Sequence, residues 1–137
     1  MLWGNSARHS GVLIMTKFKS QGVVGTFKNA GKGLLIVLKS EANLRTHTVI
    51  AVLTLLAGIF LKFTLSEFCL LLFLIGLVIV SEMLNTAIEF TIDSVYHNKY
   101  SRMAGMAKDI SAGAVMFAAF IGMTAGAILF MSKILQL

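Results

Sequence analysis

Three apolar stretches, at 48–63, 65–86 and 110–131, constrain the fold of this chain more than any other feature. A water-soluble domain of this size has too little interior to hide that much apolar surface. Of the 137 residues, 57% are hydrophobic and 13% charged, whereas soluble domains carry about 25% charged residues. A bilayer supplies the missing apolar environment. About 20 helical residues cross its hydrocarbon, so the first stretch is short and must draw on its flanks, with Lys62 able to snorkel. Proline is absent, which suits long uninterrupted helices. The expected fold is an all-α integral membrane protein with three transmembrane helices, the second and third joined by a polar loop at 93–109.

Ahead of the spans, residues 1–20 are polar and weakly patterned, and read as a flexible tail before a single membrane domain at 21–137. Met15 offers a second plausible start, which would make residues 1–14 a dispensable extension. They do not read as a signal peptide, because the apolar core is too short and no cleavage site follows. From 23 to 38 the pattern turns helical: Val23, Phe27, Ala30, Leu34 and Val37 or Leu38 recur at three- and four-residue spacing, with Lys28, Lys32 and Lys39 off that stripe. This predicts a basic amphipathic helix lying in the headgroup plane.

The formal charge is +6. Its basic residues are scattered and flank the apolar runs, which favours anionic lipid over nucleic acid as the partner. Seven of them (Arg8, Lys17, Lys19, Lys28, Lys32, Lys39 and Arg45) precede the first span, and only Lys62 lies between the first and second. That bias places the amino end and the second loop in the cytoplasm, and the first loop and carboxyl end outside. The single cysteine, Cys69, has no partner for a disulfide or a zinc site. Gly122 and Gly126 form a GxxxG, which predicts a close helix–helix seam.

The most informative segment ends the second stretch: Glu82-Met-Leu-Asn85-Thr-Ala-Ile-Glu89-Phe-Thr-Ile-Asp93. On a helix, Asn85 lies about −60°, Glu89 about −20° and Asp93 about +20° around the axis from Glu82. All four share one face and climb from the membrane edge toward water. An acid at membrane depth is costly and marks function by default; the alternative is a structural polar seam between helices. A file of three carboxylates repels itself unless a cation or a basic partner neutralises it. Lys108 and Asp109 open the third span on the same side, and Glu41, Asn43 and Arg45 open the first. Acids, amides and bases from three segments thus meet at one interface, a mixture that suits phosphoryl transfer with Mg²⁺. Soluble ATP motifs are absent: at Gly31-Lys32 the earlier P-loop glycine is replaced by Thr26, and Gly33 follows where Ser or Thr is needed. His9, His47 and His97 form no metal pair, and each is accounted for without a functional role. A polar stripe lining a channel would run the whole span, yet 68–80 carries no charge. The competing class, a non-enzymatic oligomeric channel or scaffold, is therefore disfavoured.

Glu82-x-x-Asn85-Thr-Ala-Ile-Glu89-x-x-x-Asp93, followed by Ala107-Lys108-Asp109 and Ala112-Gly113-Ala114-Val115, resembles the prokaryotic diacylglycerol kinase family. Ser40-Glu41-Ala42-Asn43-Leu44-Arg45-Thr46-His47 adds to the likeness, and its Glu-x-Asn-x-Arg-x-His form is closer to the undecaprenol kinases of Gram-positive bacteria within that family. The resemblance covers about 27–130. It implies a homotrimer in the bacterial cell membrane, with active sites shared between neighbouring subunits, and Mg²⁺ and ATP as cofactor and phosphoryl donor. The acceptor would be a lipid alcohol, undecaprenol or diacylglycerol, yielding undecaprenyl phosphate or phosphatidic acid. Carried over residue by residue, Glu82 would be the general base, and Glu41 and Glu89 would hold the metal bridged to ATP phosphates. Lys108 and Asp109 would contact the nucleotide, Asn85, Asp93 and Arg45 would support the site, and Ala30 with Glu82 would meet the lipid. Asn29 stands where the family presents an aromatic residue beside the nucleotide. The segment 94–106 receives no nucleotide contacts by this resemblance.

Overall fold

The computed structural model describes residues 22–97, 99 and 101–136; the expected tail and the alternative start at Met15 lie outside the described residues. Four helices follow one another: α1 Val23–Ser40, α2 Ala42–Phe60, α3 Leu65–Tyr96 and α4 Arg102–Ile134. No strand occurs among the described residues. Helices α2, α3 and α4 are each long and apolar enough to cross a membrane. This is the three-span helical architecture that the apolar stretches require. Residues 22–35 belong to a separate compact unit from Ile36–Leu137. Within 22–35, Val23, Val24 and Phe27 are exposed, so this part of α1 keeps its apolar stripe uncovered.

The helices outrun the apolar stretches. Helix α3 has 32 residues. At about 1.5 Å per residue it is about 48 Å long, against a hydrocarbon core of about 30 Å. The polar loop expected at 93–109 is therefore mostly helix, with α3 continuing to Tyr96 and α4 starting at Arg102. Polarity there marks where the chain leaves the apolar layer. Where the helix stops is decided by the backbone: His97 takes the left-handed conformation (φ 48, ψ 43), and the extended Ser101 caps α4 by accepting from the Ala104 amide.

The α2–α3 connection is equally short. Phe63 N donates to Gly58 O and Lys62 N to Ile59 O, both at 3.0 Å, with Lys62 at φ 56. This pair of bonds is a Schellman ending, and Phe63 folds back over Gly58. A Cβ on Gly58 would sit 3.3 Å from the Phe63 ring and 3.4 Å from that of Phe68, which explains the glycine. Thr64 then opens α3 with a capping box: its hydroxyl accepts from Glu67 N, and Glu67 Oε2 accepts from Thr64 N at 2.6 Å.

Helix α3 packs along α4 and, less extensively, against α2. Leu44, Leu71, Leu74 and Ala118 are buried between the helices, whereas Leu72, Phe73, Phe117 and Phe120 point outward. An apolar exterior over a small interior is what a bilayer-facing bundle requires. At the α3–α4 seam a Cβ on Gly122 would lie 3.2 Å from Val78 Cγ2, while one on Gly126 would meet nothing within 4 Å. The GxxxG thus contributes one close approach in the chain. Cys69 is an exposed free thiol.

Candidate functional site

The acidic face of α3 meets its neighbours level by level, deepest first. Glu82 is only 4% exposed. Its Oε1 lies 3.3 Å from Nε2 of His47 on α2. One turn later Thr86, also buried, bonds back to the Glu82 carbonyl at 3.1 Å. Next, Asn85 joins two elements: its Nδ2 donates to Glu89 Oε1 at 3.0 Å, and its Oδ1 accepts from Ser111 Oγ of α4 at 2.6 Å. Outermost, Asp93 Oδ1 and Lys108 Nζ are 2.6 Å apart, both side chains part-exposed. The four residues expected on one face do share it, and α2 and α4 supply their partners.

The α1–α2 junction brings two more expected residues to this end of the unit. Glu41 is the extended residue before α2, and its side chain makes no capping bond there. Arg45 Nη1 donates to Lys39 O at 3.0 Å and to Leu38 O at 3.4 Å, satisfying carbonyls that the end of α1 leaves open. Leu44, 1% exposed, anchors the same turn. Asp109 is exposed beside Lys108. Asn29 and Ala30 lie in the 22–35 segment, on exposed positions of α1.

Two contributors were not anticipated from sequence. Ser111, three residues beyond Lys108, is the hydroxyl that positions Asn85. His47 is the partner of the deepest acid. The available signal was pairing across an antiparallel connection: Asp93 with Lys108, Val78 with Gly122 and Glu67 with Lys133 all sit symmetrically about the turn near Lys99.

Two hollows adjoin the acidic face. An apolar groove of about 570 Å³ lies between α2, α3 and α4, with His47 at one end and Phe130 at the other. A smaller hollow, about 230 Å³, is lined by Asp93, Tyr96, Lys99, Ser101 and Lys108, in part from the segment to which sequence assigned no role.

Three helices long and apolar enough to cross a membrane, with an acidic face toward one end of α3, define a helical membrane protein. The profile of the family described as Prokaryotic diacylglycerol kinase matches residues 28–130, and the chain belongs to that family. It is 34% identical over 109 residues to the Undecaprenol kinase of Bacillus subtilis (strain 168), an alignment covering 80% of this chain and 88% of that protein. It is 31% identical over 112 residues to the Diacylglycerol kinase of Synechocystis sp. (strain ATCC 27184 / PCC 6803 / Kazusa), covering 82% of this chain and 64% of that relative.

Proposed function

We propose that the chain is a lipid kinase that transfers the γ-phosphoryl group of ATP to the hydroxyl of a membrane lipid alcohol. Undecaprenol is the first candidate, giving undecaprenyl phosphate; diacylglycerol, giving phosphatidic acid, is the second. The observation that carries this reading is the file Glu82, Glu89 and Asp93 along α3, met by Lys108 and headed by an acid of 4% exposure. Family membership and the names of both relatives support the reaction class.

The lipid hydroxyl stays near headgroup level, so the acid nearest the apolar side is the one it reaches. Glu82 accepts the hydroxyl proton as the oxygen attacks the γ-phosphorus. The new O–P bond forms while the bond to the departing ADP oxygen breaks, and the proton passes on to water. Lys108 and Asp109 face the nucleotide, and Asn85, Asp93 and Arg45 hold the surrounding side chains in place; Asn29 is the further position that the family resemblance assigns to the nucleotide. Ala30 is the further position that the family resemblance assigns to the lipid. Glu41 and Glu89 are the residues that would hold Mg²⁺ with ATP. Among the described residues no three His, Cys, Asp or Glu side chains group closely enough to cage a metal. Mg²⁺ itself asks for only one or two carboxylates, with phosphate oxygens completing its shell. When bound, the cation neutralises charge on the phosphates.

The basic bias of the amino-terminal side supports a bacterial cell-membrane topology with the amino end and the α3–α4 loop cytoplasmic and the carboxyl end external. The stripe on α1 suits the headgroup plane, and the assembly proposed is a homotrimer. The test is a transfer assay with the purified chain in mixed micelles, using γ-labelled ATP, Mg²⁺ and equal mole fractions of undecaprenol or diacylglycerol. Label should move to lipid only with Mg²⁺, and faster to undecaprenol. ATP turnover that reaches neither lipid would overturn the proposal.

A further inference from the structure

His47 is where the apolar groove and the buried acid meet. Its ring lines the end of the groove, and its Nε2 is 3.3 Å from Glu82 Oε1, the side chains being 28% and 6% exposed. The histidine is held there from both directions along α2. Leu44 is buried one turn earlier; Arg45 ties the same turn to the Leu38 and Lys39 carbonyls. Thr48, the next residue, bonds back to Leu44 O at 2.7 Å. On the α3 side, Thr86 clamps the Glu82 backbone at 3.1 Å. A carboxylate so little exposed needs a donor or a counter-charge, and the imidazole is the polar group on α2 that reaches it.

Resting on the lipid-kinase reading above, we propose that His47 is a positioning residue for the general base: by engaging Oε1 of Glu82 it turns the second carboxylate oxygen toward a lipid hydroxyl arriving along the groove. A carboxylate has two oxygens and one torsion that exchanges them. Holding one oxygen from α2 leaves the other directed at the boundary where the substrate hydroxyl lies. The separation of 3.3 Å is a contact at ion-pair distance, and catalytic contacts commonly tighten once substrate is bound. His47 accepts no proton from the substrate in this scheme; the proton goes to Glu82. Its contribution is orientation, which intramolecular chemistry rewards steeply.

A structural histidine would also partner Glu82, so the test uses a readout that structure alone does not move. Five proteins are compared in mixed micelles with undecaprenol: the parent, His47→Ala, His47→Gln, Glu82→Gln, and His47→Ala combined with Glu82→Gln. Relative to the parent, His47→Ala should lower kcat at least about tenfold, part of what a general base contributes, while KM for ATP and for lipid stays within about twofold, as expected for an interaction made in the transition state. His47→Gln retains an N–H donor and should recover most of the lost kcat. In the Glu82→Gln background, removing His47 should change kcat no further, because residues acting through one another are not additive. The inference is overturned by parental kcat in His47→Ala, by His47→Gln as slow as His47→Ala, or by an equal kcat loss in both Glu82 backgrounds. A parent that phosphorylates no lipid alcohol overturns the proposed function as well; a parent that does, with a silent His47→Ala, overturns this inference alone.

Discussion

Where α3 begins, Glu67 meets Lys133 of α4 at 3.1 Å; near its other end, Asp93 meets Lys108 of α4 at 2.6 Å. The residue types match, and the surroundings do not. At the turn end, Glu67 also accepts the Thr64 amide and completes a capping box. Lys133 Nζ sits 5.9 Å from the centre of the Phe63 ring, and Phe63 packs on Phe68 and Phe130 at 5.9 and 4.9 Å between centroids. Each polar group there serves a helix terminus or a neighbouring ring. At the loop end, the acids recur along one face and meet side chains from two other helices: His47, Ser111 and Lys108. A bundle needs the first arrangement to end its helices. The second adds little stability: the part-exposed Asp93–Lys108 pair is screened by water, and for the buried Glu82 the cost of leaving water offsets what a partner returns. Charge held at a membrane boundary without structural need is a sign of chemistry.

Glu82→Gln is the change that should separate the two ends most. The amide keeps the size and the hydrogen-bonding capacity of the acid but cannot take a proton. Lipid phosphorylation, read as initial rate, should fall by about 10² or more, with thermal stability in detergent close to the parent. A near-parental rate would make the loop end as structural as the turn end, and the comparison would collapse. Glu89→Gln follows. Its amide oxygen can still accept from Asn85, so the local bond should persist while the charge is lost. Mg²⁺-dependent nucleotide affinity, measured by titration, should drop at least about tenfold. Unchanged affinity would remove Glu89 from the metal site and leave Asn85–Glu89 as a helix-face contact.

How much of this was legible in advance differs along the chain, for physical reasons. The spans were legible because hydrocarbon thickness dictates the length of an apolar run. The acidic face was legible because 3.6-residue periodicity places 82, 85, 89 and 93 together on any straight helix. The extent of α3 and α4 is not: the polarity of 93–109 suggests a loop, whereas a helix leaving the bilayer continues until a backbone break, here His97 in the left-handed region. His47 is silent as a site residue in the sequence because its partner is a carboxylate on another helix, not a second metal ligand nearby in the chain. Local pattern says nothing of which residues face each other across a turn. Gly58 was equally silent, because only the Schellman geometry brings Phe63 back onto it.

A change at the turn end should act on stability alone. Gly58→Val inserts a branched side chain where even a Cβ would lie 3.3 Å from Phe63 and 3.4 Å from Phe68. Overpacking of this kind costs about 1–3 kcal/mol. Melting in detergent should therefore come earlier, while kcat per folded molecule stays at the parental value. A kcat loss beyond the folded fraction would mean that the two ends are coupled through α3, and that the division drawn between them is too simple.

The smallest effect is expected from Lys133→Met, which sharpens the comparison because Lys108→Met provides its counterpart. Methionine retains an unbranched apolar stem that can lie against Phe63, so the loss is confined to the ammonium group. Glu67 keeps the Thr64 amide as a partner, and the capping box that starts α3 does not depend on the lysine. The pair is part-buried, but Glu67 keeps its bonds with Thr64, so the lost ammonium takes little stability with it. Lipid phosphorylation should be unchanged in both kcat and KM. At the loop end the same substitution takes from Asp93 a partner at 2.6 Å and from the proposed nucleotide site its lysine, so KM for ATP should rise there. Measured side by side, the two lysine variants ask one question of two similar ion pairs. If Lys133→Met raises KM for ATP as much as Lys108→Met does, position along α3 does not decide what a carboxylate–lysine pair is for. If only Lys108→Met does so, the residue types are equivalent and the difference lies in what surrounds them: a helix cap and three rings at one end, a file of acids facing two helices at the other.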